Sequence, residues 1–557
     1  MDHEKALPPD EKTSIPHPSV ESAEQQDGEW RENEDFMTRN GLNLKSFQRR
    51  PRGGPLIVLD KSMKTRHLHM IAIGGSIGAG FFVGSGGALN KGGPASVLID
   101  FSLMGIMIFN VIYALGELAI MYPVSGGFYT YSTRFIDPSW GFAMGWNYVF
   151  QWAIVLPLEL NVAALTVQYW DGAKGTSIAV WMTIFWVFII FINVFGTLGY
   201  AEEEFWSSCL KLGATVVFMI IALVCVLGGG PSGGKYDEYY GARNWYDPGA
   251  FNNGFKGFCT VFVTAAFAFS GTELVGLAAA ETKNPLKSLP GAVRQVFWRI
   301  TLFYILGLTF VGLLVRSDDP RLLGAEGDGA NTSPFVIAGK DAGLRGFYSF
   351  MNVVFMVSVV SIGVSDQGYA PKIFTYMDRS GRPLFSVMFI LGWGALCYMN
   401  LASTGVVIFN WFVSLSGLAA LFTWGSICLA HIRFRKAWAY HGHTLDEIPF
   451  KAAGGVYGSW IGLTIIFIVL CAQFYTAISP IGKRLGTASD FFQAYLAVFV
   501  VSAFWIAGYF WKRTGWLRTA QMDVDTGRRE LDWDLINRDR EEMKTWPAWK
   551  RLCARIF

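Results

Sequence analysis

Charge is the first thing this sequence lacks. Lys and Arg number 46 and Asp and Glu 43, only 16% of the 557 residues, while 52% are hydrophobic and 16% aromatic. Soluble domains carry about a quarter charged residues, so a soluble protein is excluded and a polytopic membrane protein is expected. The net charge of +3 is small and scattered over loops and tails, which excludes a nucleic-acid groove. Cysteine is also scarce: six of the seven, Cys209, Cys225, Cys259, Cys397, Cys428 and Cys471, lie in apolar runs with no CxxC or metal-ligand spacing. They read as small buried hydrophobes, and neither a disulfide scaffold nor a metal site is indicated. Histidine, at seven residues, is read at tail or loop positions such as His67, His69, His441 and His443. With no intramembrane nucleophile, His/Asp pair or metal cluster in view, neither an enzyme nor a cofactor is expected.

Apolar runs are what the sequence has. They fall near 68–89, 94–121, 141–166, 177–195, 205–227, 256–280, 297–315, 346–365, 384–401, 406–432, 457–478 and 491–511. Each approaches the roughly 20 residues that cross a bilayer, so an all-α domain of about twelve spans is predicted over 67–511. Residues 1–66 are polar, rich in Pro, Glu and Ser, and without a signal-peptide core, so they read as a disordered tail. Lys and Arg cluster at its end, in KSFQRRPRGG and KSMKTRH, and WKRTGWLR follows the last span into a second tail, 512–557. The positive-inside rule puts both tails in the cytoplasm. The loop 316–345, with the sequon Asn331-Thr332-Ser333, then faces outside.

One run is odd. The stretch 71–87, IAIGGSIGAGFFVGSGG, holds seven glycines inside a predicted span, each costing about 1 kcal/mol against alanine in a helix. Close helix packing through small-xxx-small spacing is one compensation. An unwound helix centre, whose free backbone groups bind a ligand in a protein-walled cavity, is the other. The second option predicts a partner in the other half of the chain, and the sixth span supplies one: Ser270-Gly271-Thr272-Glu273 interrupts FVTAAFAFSGTELVGLAAAE, five spans after the first. Amides on the first break suit a carboxylate and carbonyls on the sixth suit an ammonium, so a zwitterion fits.

These motifs resemble the fungal amino acid permeases of the amino acid-polyamine-organocation superfamily. GGSIGAGFFVGSG is similar to that family's first-helix motif, ALGELAIMYPVSGGFYTYSTRFIDPSWGFAMGWNY to its second-to-third-helix signature, and FAFSGTELVGLAAAET with NPLKSLP to its sixth-helix block; DVDTGRREL fits its C-terminal tail. The resemblance implies the LeuT-like fold of two inverted five-helix repeats plus two helices, with helices 1 and 6 broken, and proton-driven uptake of L-amino acids across the plasma membrane. It carries Ser76, Gly78, Ala79 and Gly80 to the carboxylate site, and Phe267, Ser270, Gly271 and Thr272 to the segment that holds the amino group.

Ionisable residues inside spans are costly and usually functional. Glu273, in the sixth break, is the leading candidate for proton coupling, with a permanently charged brace of the unwound backbone as its alternative. Lys211 resembles the lysine that replaces a sodium ion in related transporters; otherwise it is a lysine snorkelling from near the span's cytoplasmic end. Glu117 reads as structural, holding the loop after the second span. Glu159, after Pro157, either satisfies a kinked third helix or lines the pathway. The aromatics Phe81, Phe82, Phe267, Phe269 and Trp411 read as core or lipid-facing, with Phe267 or Phe269 as a lid over substrate.

Two connections, 122–138 (YPVSGGFYTYSTRFIDP) and 281–295 (ETKNPLKSLPGAVRQ), are amphipathic and expected to lie against the bundle, as gates or plain connectors. The eighth span departs from the family's pattern: Val364-Ser365 passes directly into Asp366-Gln367-Gly368, where the resemblance implies a dozen or more further helical residues. That leaves an amino acid sensor, or a transport-inactive form, as the alternative on the same fold. The tail lysines Lys5, Lys12, Lys45 and Lys61 offer attachment points to ubiquitin ligase machinery, and Cys553 one to a lipid.

Overall fold

A computed structural model describes residues 35–39, 43–49, 65–75, 77–123, 127–173, 175–194, 196–278, 285–322, 333–360, 376, 378–379, 384–401, 405–529, 538, 541–542 and 545–547. Nine described helical stretches are long and apolar enough to cross a membrane. One of them, Gly80–Met121, is two spans in sequence, because the backbone leaves helical angles at Gly93 just before Pro94. The shorter apolar helix Ile178–Val194 supplies the fourth span and the helix Arg345–Val360 falls on the eighth, so each of the twelve expected spans coincides in part or whole with a described helix. Spans three, six and ten are the most buried, and the last two show the bilayer much of their surface. The broken first and sixth spans pack on each other, the first also against the fifth and seventh and the sixth against the second and tenth.

Three expectations need correction. The seventh span does not begin near 297: Pro285 opens a helix through Arg299, which continues as a wider-wound stretch, Ile300–Gly307, and then Leu308–Leu314. Proline at a helix start costs no hydrogen bond, so the amphipathic segment joins the span. The reading of 1–66 as disordered fails for 43–49, where Leu44–Phe47 forms a short turn docked on Tyr376 and Arg379. There Arg379 N–H donates to the carbonyls of Ser46 and Gln48, and the Tyr376 hydroxyl donates to Phe47 O. Finally, Cys209 and Cys471 are exposed on the bundle's outer surface, while Cys225, Cys259, Cys397 and Cys428 are buried as expected.

The connection after the second span lies against the bundle: Gly127–Phe135 is a helix with Phe128, Tyr131 and Phe135 buried. The second tail returns to cover it. Tyr122 donates to Val524 O at 2.7 Å, Arg134 to Thr526 O at 2.6 Å, and Arg529 N–H to Met121 O at 3.0 Å. Met522 and Val524 are buried in consequence. Part of the second tail is thus a folded cover on this face.

Candidate functional site

The first span stops where its glycines accumulate. Helix Thr65–Gly74 ends in a turn at Gly75, and winding resumes only at Gly80–Gly84. Between them, Ile77 N–H bonds back to Gly74 O, and the amides of Phe81 and Phe82 bond to Gly78 O. Gly78 and Ala79 therefore sit in the gap between two helical ends, where amides point along the axis. Ser76 lies outside the described residues.

The sixth span breaks opposite. Helix Gly254–Phe269 ends at Ser270, whose ψ of 142° is extended, and Gly271 follows at φ +90° before the helix restarts at Leu274. A side chain is strained at that φ, which is why glycine stands there. The two breaks touch. A methyl built on Gly80 would lie 2.7 Å from Ala268 Cα and 3.0 Å from the Phe267 ring, and one on Gly271 would lie 3.7 Å from Gly75 O. Such closeness of two unwound backbones is tolerated only inside protein walls.

The third span, Pro138–Val167, supplies one wall. Tyr148, Trp152 and Glu159 recur at helical spacing and share a face. The Gln151 side-chain amide donates to the Ser270 hydroxyl at 2.8 Å, and the Trp152 ring stands 3.6 Å from the Cβ position of Gly271. Glu159 reaches the other break: its Oε1 is 3.4 Å from the Cβ position of Gly78, and its carboxyl faces the Ala79 backbone. Its Oε2 is buried with no partner among the described residues. Of the two roles open to Glu159, satisfying a kinked helix is set aside, since the helix runs unbroken past Pro157 and the carboxyl faces the first span instead.

Glu273 has a different company. Gly271 N–H donates to its Oε1 at 3.3 Å and Trp424 Nε1–H to its Oε2 at 3.0 Å, and the side chain is fully buried. Below it lies Arg299, equally buried, which donates to Ala72 O at 2.7 Å and to the Thr272 hydroxyl at 2.6 Å. One guanidinium thus ties the end of the first helix to the break in the sixth. Tyr304, one turn and a little further along, donates to Ala268 O at 2.8 Å and stacks on Phe269 at 4.2 Å. Phe269 is therefore core, while Phe267 lines the cavity over the breaks.

Lys211 is buried, which removes the snorkelling alternative. Its ammonium pairs with Glu204 at 3.2 Å, and Ser208 donates to the same carboxylate at 2.8 Å, directly against Gly74. Glu117 is bonded away from the loop after its own span. Arg435 of the tenth span donates to its Oε2 at 2.8 Å, the Ala452 N–H does so at 2.7 Å, and His431 Nε2 lies 3.1 Å from Oε1. It joins the second span to the tenth and to the connection beyond.

Among the described residues, the buried ionisable groups that escaped sequence reading include Asp100, Glu204, Arg299 and His431. Arg299 was hidden by the misplaced start of the seventh span. His431 stands within Gly405–Tyr440, and His67 and His69 within Thr65–Gly74, so the histidines are not confined to tails and loops. Asp100 stood in plain view in VLIDF, and both its oxygens are buried without a partner among the described residues. The eighth span is described only to Val360, so the point where Ser365 meets Asp366 lies outside the described residues, as do Lys5, Lys12, Lys61 and Cys553.

A bundle with two helices broken at facing positions, five spans apart and walled by a third, has the architecture of a membrane carrier. Residues 67–521 match the family model of amino acid permeases. The chain is 65% identical over 538 residues, 94% of each chain, to a protein of Hypocrea atroviridis described as "Amino-acid permease inda1". It is 49% identical over 515 residues, 90% of this chain and 86% of the other, to the "General amino-acid permease GAP2" of Candida albicans. Its fold is shared with MhsT solved in complex with L-phenylalanine, at TM-score 0.51 and 18% identity over 73% of this chain and 98% of that one. The chain belongs to the amino acid permease family and is an integral, multi-pass membrane protein of LeuT-like fold.

Proposed function

We propose that this permease imports L-amino acids across the plasma membrane by alternating access, driven by protons, with both tails in the cytoplasm. The observation that carries the reading is the meeting of the two breaks at Gly78–Gly80 and Phe267–Thr272, which offers amides and carbonyls a few ångströms apart to the two ends of a zwitterion. Glu159 supports a proton step at the site. Its carboxyl faces the Ala79 amide that a substrate carboxylate would need, so protonating it weakens that competition and removes a repelling charge. Glu273, by contrast, has a donor on each oxygen and Arg299 nearby, which supports its bracing alternative. Lys211, balanced by Glu204, stands close enough to act on Glu159 electrostatically and remains the second candidate for coupling.

The test is uptake of a labelled amino acid panel at pH 5 and pH 7 in a yeast strain lacking its own permeases, beside a copy with the eighth helix lengthened to the family's pattern. Uptake stronger at pH 5 supports the reading. Uptake by the lengthened copy alone means that this form is inactive, and uptake by neither favours the sensor.

A further inference from the structure

A cavity of about 270 Å³ leads from the site to the face opposite the tails. Its inner end is Ala79 and Phe267; its outer end is Lys91 and Asp490, with Thr264 and Gln473 between. At 1.5 Å per helical residue, the twelve positions from Ala79 to Lys91 place the lysine roughly 18 Å from the first break. The charges at this mouth are unequal. Asp490 is already neutralised, pairing with Lys483 at 2.8 Å and capping Thr487 N–H at 2.8 Å. Lys256 is spent on the carbonyls of Pro480 and Lys483, at 3.3 and 2.7 Å. Lys91 makes no ion pair among the described residues, and its backbone is pinned by Asn253 donating to Lys91 O at 2.9 Å and by Asn252 N–H donating to Gly92 O at 2.9 Å. Among the described residues, Lys91 is therefore the lysine that lines this mouth, and it does so without an ion pair.

Resting on the reading of the chain as an amino acid carrier, we propose that Lys91 is an outer capture station: it takes the α-carboxylate of an incoming amino acid at the mouth of the cavity and discriminates against substrates of net positive charge. A zwitterion presents its carboxylate to Lys91 first and travels inward along the Thr264 and Gln473 wall. An anionic amino acid gains a second attraction, and a cationic one meets repulsion. Lys91 is a specificity residue here, outside the central site.

The experiment measures uptake of glutamate, leucine and lysine by the full chain, by Lys91→Gln and by Lys91→Arg, at matched surface amounts in permease-deficient yeast. A part-exposed charge contact is worth up to about 1 kcal/mol, or about fivefold. Lys91→Gln is expected to raise KM about fivefold for glutamate and about twofold for leucine, and to lower it about twofold for lysine, while Lys91→Arg keeps the original order. A Lys91→Cys chain gives a second readout: a positively charged thiosulfonate reagent restores the order and a negatively charged one reverses it. KM values that shift equally for all three charges, or not at all, overturn the station while leaving the carrier reading intact. If neither the full chain nor the copy with the lengthened eighth helix carries any of the three, the carrier reading and the station fall together.

Discussion

Gly80 of the first span passes Ala268 of the sixth so closely that a methyl on the glycine would stand 2.7 Å from the alanine's Cα. Backbone on both sides leaves no flexible side chain to yield. Overpacking of this kind costs about 1–3 kcal/mol, so Gly80→Ala is expected to lower Tm and uptake together. Thermal unfolding of purified protein, with uptake at matched surface amounts, checks it; an unchanged Tm would show that the two breaks separate easily.

Glu159→Gln mimics the protonated carboxyl and keeps a hydrogen-bonding group beside Ala79. Uptake by this variant is expected to lose its preference for pH 5 over pH 7, and amino acid binding to become independent of pH. A retained acid preference would move the proton step to another group, Lys211 first.

Arg299 braces Ala72 and Thr272 from full burial. Removing one member of a buried charged network costs about 3–5 kcal/mol, so Arg299→Ala is expected to leave little folded protein at the membrane. Glu273→Gln keeps one acceptor for Trp424 or Gly271 and should fold, with reduced uptake whose pH preference is unchanged. If Glu273→Gln abolishes that preference, the carboxyl carries protons after all.

Asp100 is fully buried and both its oxygens lack partners among the described residues. A buried group of this kind costs about 1–3 kcal/mol. Asp100→Leu is therefore expected to raise Tm while uptake stays near that of the parent chain. A loss of uptake without unfolding would show the carboxyl to be functional.

The folded part of the second tail hangs on few bonds. Arg134→Ala removes the donor to Thr526 O and the cation over the Tyr122 ring, 4.3 Å away. Limited proteolysis is expected to cut 514–529 faster in this variant. The neighbouring Glu447 is held below its ordinary carboxylate value by the Thr444 N–H first, opposed by some burial, and then by His443. A depressed value means that its support is complete above about pH 4.5 and lost as pH falls further, so cutting near 441–449 should accelerate only in that acid range.

Much of this architecture was legible from pattern alone. Twelve apolar runs announced twelve spans, because a bilayer demands length and hydrophobicity from each segment independently of its neighbours. The breaks were legible too, since seven glycines in one span and Ser270-Gly271-Thr272-Glu273 in another violate a local rule that close packing or a site must offset. Local rules reach no further than the turn or helix that contains them. They could not show that Glu159 reaches across to Ala79, that Arg299 serves two helices at once, or that Glu117 belongs to the tenth span, because each pairing joins residues scores to hundreds of positions apart. The sequence by itself determined the spans, the breaks and the buried charges at Glu117, Glu159, Lys211 and Glu273. Only the tertiary structure decided which of those charges are paired, since a buried ion's role depends on the donors that packing brings to it.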